Sequence, residues 1–196
     1  MSVAAVILAA GGSRRLGKPK QLLPFDGQSL LRRCVRAVLD SRCSRVVVVT
    51  GAFSEACAAE VSDLPVDVIH NPLWADGMAG SVGVGIHELI ARGQAPTAVV
   101  LTVCDQPFLS PSIIDQLLDK QLASGRGIVA SAYHGTFGVP ALFQARYFSA
   151  LLNLKADVGA RVLFREFPAD LDSIEFPGGA IDIDTPSEYA SILQSV

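Results

Sequence analysis

Three short apolar runs, each closed by glycine or a polar turn residue, restrict what this chain can fold into more than any other feature. Residues 3–8 (VAAVIL) lead into the small-residue loop Ala9-Ala10-Gly11-Gly12, Arg45–Thr50 (RVVVVT) stops at Gly51, and Ala98–Val103 (AVVLTV) stops at Cys104 and Asp105. Continuous runs rich in β-branched residues lack the polar alternation of a strand with one wet face. They fit strands covered on both sides in a parallel sheet.

Helical periodicity fills the gaps between these runs. Residues 29–39 open on Ser29, a good N-cap, and place Leu31, Cys34, Val35 and Val38 on one face with Arg32, Arg33 and Arg36 opposite. Similar patterns follow at 54–62, 79–92 and 111–123, the last entered through Ser110-Pro111, a cap followed by proline at the first helical position. Strand and helix alternate, which predicts an α/β fold: three α/β/α layers around a mostly parallel, mixed sheet. From Gly127 the order loosens into a strand at 128–132, a loop at 134–140 (HGTFGVP), helices near 145–154 and 159–167, a strand near 173–176 and a terminal helix from Pro186. Antiparallel additions are expected in that part. No repeat, linker or low-complexity segment divides the 196 residues, so the expectation is one domain over 1–196.

Composition narrows the function classes. Half the residues are hydrophobic and 18% are charged, which supports a buried core and excludes a disordered chain. The apolar runs are far shorter than the roughly 18 or more residues of a spanning helix, so no membrane partner is expected. No basic segment precedes the first run as it would in a secretory signal, and the expected location is cytoplasmic. A net charge of −3 argues against broad binding to nucleic acid, so any anion site must be local. Cys34, Cys43, Cys57 and Cys104 form no C-x-x-C pair and, with His70, His87 and His134 scattered, give no zinc spacing; they are read as reduced thiols.

The local anion site is legible at residues 11–20, GGSRRLGKPK. The stretch nearly matches the phosphate-binding pattern G-x-x-x-x-G-K-[ST], but Pro19 has no hydroxyl for a metal ion and Pro24 follows too soon for a long helix. The dinucleotide fingerprint fails as well, because Ser13 stands at its second glycine. What remains is a strand end, small residues that let a flat ligand approach the backbone, and four cations, Arg14, Arg15, Lys18 and Lys20. Asp105 also ends a buried run, where an aspartate can be a turn former or a Mg²⁺ ligand. Asp182 and Asp184, two apart, point the same way if that segment is extended. Trp74 reads as a core or lid residue rather than a stacking platform, and GMAGSV from Gly77 as a helix start.

Residues 8–31, LAAGGSRRLGKPKQLLPFDGQSLL, resemble the L-A-A-G-x-S-x-R-x-G-x-x-K-x-L-L-P signature of the MobA/MocA-like nucleotidyltransferases, most closely the MocA branch of molybdenum cofactor cytidylyltransferases. The likeness continues through NPLWADGMAGSV, CDQPFL, HGTFGVPALF, DVGAR and DIDTPSEY in order. It implies a Rossmann-like nucleotidyltransferase fold and transfer of CMP from CTP to the terminal phosphate of molybdopterin, releasing pyrophosphate. It further implies Arg15 and Lys20 as catalytic residues, and Leu8, Ala9, Ala10, Gly11, Gly12 and Ser81 at the nucleotide. Asp105 and Asp184, the latter preferred to Asp182, would hold Mg²⁺, with Mn²⁺ as the alternative metal. Gly138, Pro140, Asp157 and Arg161 fall on the acceptor side, although Val139 stands where the family commonly has histidine. A molybdoenzyme or its chaperone would receive the product. Guanylyl transfer or a sugar-phosphate nucleotidyltransferase on the same fold, and a non-catalytic molybdenum cofactor-binding accessory protein, are the alternatives.

Overall fold

The computed structural model describes residues 2–193 apart from Arg92, Gln94 and Asp157. In chain order the strands are β1 (Val3–Ala9), β2 (Pro24–Phe25), β3 (Gln28–Ser29), β4 (Arg45–Thr50), β5 (Asp67–His70), β6 (Ala98–Val103), β7 (Ile128–Tyr133), β8 (Thr136–Gln144) and β9 (Leu171–Glu175). The helices are α1 (Leu30–Leu39), α2 (Ser54–Glu60), α3 (Met78–Ala91), α4 (Pro111–Ser124), α5 (Phe148–Leu152), α6 (Arg161–Glu166) and α7 (Pro186–Leu193). Among the described residues no helix is long and apolar enough to cross a membrane.

The three apolar runs are the centre of a seven-stranded sheet in the order β5-β4-β1-β6-β8-β7-β9. β1 pairs in parallel with β4 on one side and β6 on the other. Its alternate side chains then serve two cores, because successive residues point to opposite faces. Ala5 and Ile7 pack with α1, α2 and α4, whereas Ala4 and Val6 pack with α3, α5 and α6. Three layers result, as the alternation of runs and periodic segments predicts. Ser29 caps α1 by accepting from Arg32 N–H at 3.0 Å, and the helix buries Leu31, Cys34, Val35 and Val38. Cys34, Cys57 and Cys104 are buried in the first core as free thiols.

Close approach of α3 to β1 depends on Gly85, where a Cβ would overlap the branched side chain of Val6. Valine is stiff about χ1 and Val6 is fully buried, so it cannot swing aside. Gly85→Ala is therefore expected to lower the urea midpoint: overpacking costs about 1–3 kcal/mol, which outweighs the helix preference of alanine, about 1 kcal/mol. An unchanged midpoint would mean that the helix can move off the sheet at no cost.

Two segments differ from the sequence expectation. The stretch 134–140 is not a loop: its first two residues form a tight turn and the rest belongs to β8, antiparallel to both β6 and β7. His134 and Gly135 have φ of 47° and 71°, the primed turn that suits a two-residue hairpin, but His-Gly is a weaker signal than Asn-Gly. Pro140 sits where the β7–β8 register shifts, at a bulge that needs no N–H from it. β5 escapes sequence reading because it is a four-residue edge strand with no fully buried position. The expected antiparallel addition is confined to β8; β7 and β9 pair in parallel.

Candidate active site

The connection from β1 leads to β4 on one side, while β6 lies on the other, so the ends of β1 and β6 flank the point where an open α/β sheet leaves a crevice. The 11–20 loop leaves β1 there, and Asp105 leaves β6. No long helix follows the loop. Ser13 and Gly17 take φ of 49° and 72°, and after Pro19 there is only a single 3₁₀ turn, Lys20–Leu22. The loop is held from beneath by Gln21, 1% exposed, whose amide donates to the carbonyls of Ala9 at 3.0 Å and Gly11 at 2.7 Å. Ser13 Oγ accepts from Lys20 N–H at 3.0 Å. This bracing leaves Leu8, Ala9, Ala10, Gly11 and Gly12 along one wall of a cleft of about 380 Å³ that also takes in Ser81, Lys20 and Asp105.

The charged centre draws on three distant parts of the chain. Lys20 Nζ donates to Asp105 Oδ2 in a short ion pair and to Asp184 Oδ1 at 3.0 Å, and Arg15 donates to Asp184 Oδ2 at 2.6 Å. The side chains of Lys20 and Asp105 are only 18% and 14% exposed. Burial alone would lower the Lys20 ammonium, but the two carboxylates outweigh it and hold its pKa above the ordinary lysine range. Burial would likewise raise Asp184; Lys20 and Arg15 bring it below the usual carboxylate range instead. Asp182 keeps contact with solvent, yet partial loss of solvation and the negative charge of Asp105 raise it to about 6. Asp105 Oδ1 is buried and, among the described residues, has no hydrogen-bond partner, a position that suits a cation.

Asp184 reaches this centre through packing. Ile183 is buried with Leu16, Leu23, Phe25, Leu30 and Ile192 in a third apolar patch, and Tyr189 Oη donates to Pro24 O at 2.6 Å. Thr185 and Glu188 form a reciprocal capping box at the start of α7, Glu188 accepting from Thr185 N–H at 2.8 Å and donating its own N–H to Thr185 Oγ1 at 3.3 Å. The same glutamate accepts from Asp184 N–H at 3.0 Å, fixing the backbone next to the ion pair.

This fold and the loop after β1 have a counterpart among known proteins: residues 5–172 match the family described as MobA-like NTP transferase domain. The chain belongs to that family. Among curated relatives, nicotine blue oxidoreductase of Paenarthrobacter nicotinovorans is 30% identical over 97% of this chain and 96% of that protein. The molybdenum cofactor cytidylyltransferase of Escherichia coli is 25% identical over 96% of this chain and 94% of its own length. The crystal structure of Rv0371c from Mycobacterium tuberculosis superimposes with a TM-score of 0.84 at 26% identity, covering 99% of this chain and 98% of that one. A manganese complex of Rv0371c shares the fold, with a TM-score of 0.81 at 24% identity over the whole of both chains.

Within this MobA-like domain the structure spreads the remaining sequence-selected residues unevenly. Arg15 points out to Asp184 with its side chain 71% exposed, and Arg14 rather than Arg15 lines the cleft. A second cleft, of about 300 Å³, meets the first at Leu8, Met78, Val103 and Asp105. Arg161, Tyr133, Val139 and Asp182 line it, with Arg161 donating to Tyr133 Oη at 3.0 Å. Gly138 and Pro140 are buried in β8 instead of facing that cleft, and Asp157 lies outside the described residues. Gly138 is packed so tightly against Tyr133 that a Cβ would occupy the phenol oxygen's place.

Two glutamines escape sequence reading. Gln21 stands at an unspecified position of the signature, and only its length and its place one residue after Lys20 could have pointed to it. Gln106 Nε2 donates to Val139 O at 3.0 Å and Gly179 O at 2.9 Å, tying the segment after β6 to the bulge of β8 at the lining of the second cleft. A buried amide bridging two carbonyls leaves no trace in hydrophobic periodicity.

Proposed function

We propose that the protein transfers a nucleotidyl group, CMP from CTP, to the terminal phosphate of a molybdopterin-type acceptor and releases pyrophosphate. The observation that carries this reading is Lys20 bridging Asp105 and Asp184 at the place where two clefts meet. One cleft offers small residues and cations to a nucleotide; the other offers a largely apolar lining together with Arg161. An oxygen of the acceptor phosphate attacks the α-phosphorus, the bond from that phosphorus to the bridging oxygen breaks, and the electron pair leaves with pyrophosphate. The acceptor is already an anion, so alignment and charge neutralisation matter more than a strong base.

Asp105 and Asp184 fit Mg²⁺, which takes one or two carboxylates together with substrate phosphates; Asp105 Oδ1 is available to it. Bound there, the ion would neutralise developing phosphate charge. Lys20 balances the two carboxylates in the structure and would share its charge with the phosphates once a nucleotide enters. Arg14 and Arg15 add positive potential at the loop, Ala9 to Gly12 and Ser81 seat the base and ribose, and Arg161 meets an anionic group of the acceptor. The β8 segment with Gly138 and Pro140 backs that side from behind Val139. In this reading residues 1–196 act as one catalytic unit in the cytoplasm, and a molybdoenzyme or its chaperone takes the product.

The oxidoreductase name of one relative finds no counterpart in a dinucleotide fingerprint here, whereas the lysine–carboxylate centre suits phosphoryl chemistry. The test is to incubate the protein with each NTP, Mg²⁺ and molybdopterin and to measure pyrophosphate. Release with CTP is expected. A preference for GTP would move the assignment to guanylyl transfer, and release with no NTP would overturn catalysis in favour of the carrier reading.

A further inference from the structure

In the second cleft a chain of hydrogen bonds ends on Arg161. Tyr133 closes β7, Gly138 and Val139 lie in β8, and Arg161 opens α6. Arg161 Nη2 donates to Tyr133 Oη at 3.0 Å, and the hydroxyl donates in turn to Val139 O at 3.2 Å. The guanidinium carbon stands 6.0 Å from the centre of the same ring. Among the described residues the guanidinium makes no other hydrogen bond or ion pair, so the rest of its N–H fork is left for a ligand.

The tyrosine cannot drift. It is buried, and its ring packs over Gly179, where a Cβ would stand 2.7 Å from Cδ1 and 2.8 Å from Cε1. Gly138 lies beneath the hydroxyl and the guanidinium together: the Cβ that would displace the phenol oxygen would also stand 2.9 Å from Arg161 Nη2. Val139 O is held by Gln106 Nε2 as well, at 3.0 Å, so the carbonyl that anchors the tyrosine is itself fixed.

Charge makes this placement matter. Of the described residues that line the cleft, Arg161 alone is a cation, whereas Asp105 and Asp182 bring carboxylates. Asp105 is paired with Lys20, which lines the first cleft; Asp182 has no ion pair among the described residues. An anionic group held away from the guanidinium would meet that carboxylate, and like charges side by side are costly.

We infer that Tyr133 is a positioning residue, fixing Arg161 for the anionic group of the acceptor from a slot that Gly138 and Gly179 leave open for it. This deepens the nucleotidyl-transfer reading and rests on its placing of the acceptor in this cleft. A guanidinium ordered before the ligand arrives spends less side-chain freedom on binding. Removal of the hydroxyl therefore weakens the hold on the acceptor and leaves the nucleotide cleft as it was.

The test measures pyrophosphate release with MgCTP and molybdopterin for wild type, Tyr133→Phe, Arg161→Ala and the double variant. Phenylalanine keeps the ring, and Val139 O keeps the Gln106 bond, so the fold is expected to hold. Tyr133→Phe should raise KM for molybdopterin about 10-fold, with kcat and KM for CTP unchanged, and should add little to Arg161→Ala. A merely structural tyrosine would move both KM values or act as strongly without Arg161. Either result, or an unchanged KM for molybdopterin, overturns the inference and leaves nucleotidyl transfer standing. If Tyr133→Phe does not fold, the same split between the two KM values in Gly138→Ala decides in its place, since the added methyl displaces hydroxyl and guanidinium together. Equilibrium dialysis of molybdopterin needs no turnover. Should wild type release no pyrophosphate, the transfer reading fails, and an affinity about 10-fold weaker in Tyr133→Phe still upholds the inference; equal affinities, or no binding to wild type, overturn it.

Discussion

Lys20→Ala is expected to slow nucleotidyl transfer by on the order of 10²–10³-fold, the usual loss when one fixed charge contact to a transition state is removed. The lysine is held by Asp105 and Asp184 before any substrate arrives, so no reorganisation is needed at the moment of reaction. Its effect should fall mainly on kcat, because phosphate charge grows as pyrophosphate departs. The fold should survive: Lys20 belongs to none of the apolar clusters, and Gln21, not Lys20, anchors the loop. Pyrophosphate release at the wild-type rate from a variant with an unchanged circular dichroism spectrum would remove Lys20 from the chemistry.

Asp105→Asn keeps the shape of the side chain and discards its charge. Turnover is expected to fall by a similar order, 10²–10³-fold, and the Mg²⁺ concentration for half-maximal activity should rise, since one of two carboxylates is gone. The Lys20 ammonium loses one of the partners that hold its pKa up, which shifts that pKa back down toward the ordinary value. The two changes touch the same centre, so the double variant should be much less impaired than the product of the single losses. An Asp105→Asn protein with the Mg²⁺ dependence of wild type would dissociate this carboxylate from the metal.

The difference between these residues and the rest of the site explains what a sequence can reveal. β1, β4 and β6 are legible because strands buried on both faces must be apolar throughout, and the loop after β1 is legible because small residues and cations crowd into it. The strand ends draw attention to the cations of the loop and to Asp105, but only likeness to related chains singled out Lys20 and gave Asp105 a role beyond that of a turn former. Asp184 is different. Its position depends on Ile183 entering a patch with Leu16 and Leu23, a contact across more than 150 residues that no periodicity encodes; only likeness to related chains selected it over Asp182. β8 was hidden by a glycine and a proline whose turn and bulge lie within the sheet. The outward turn of Arg15 and the bridging amides of Gln21 and Gln106 are likewise decided by tertiary neighbours.

Among the described residues, the patch that delivers Asp184 shares no member with either core that flanks the sheet. Segments with few buried contacts open on their own, at free energies well below that of global unfolding. Undocking of α7 would thus withdraw one carboxylate from Lys20 while the sheet stayed intact, and any ligand that prefers the docked arrangement is weakened by the fraction of molecules lacking it. The measured affinity for a metal–nucleotide complex is then an apparent one, the intrinsic affinity scaled by how often the last helix is home.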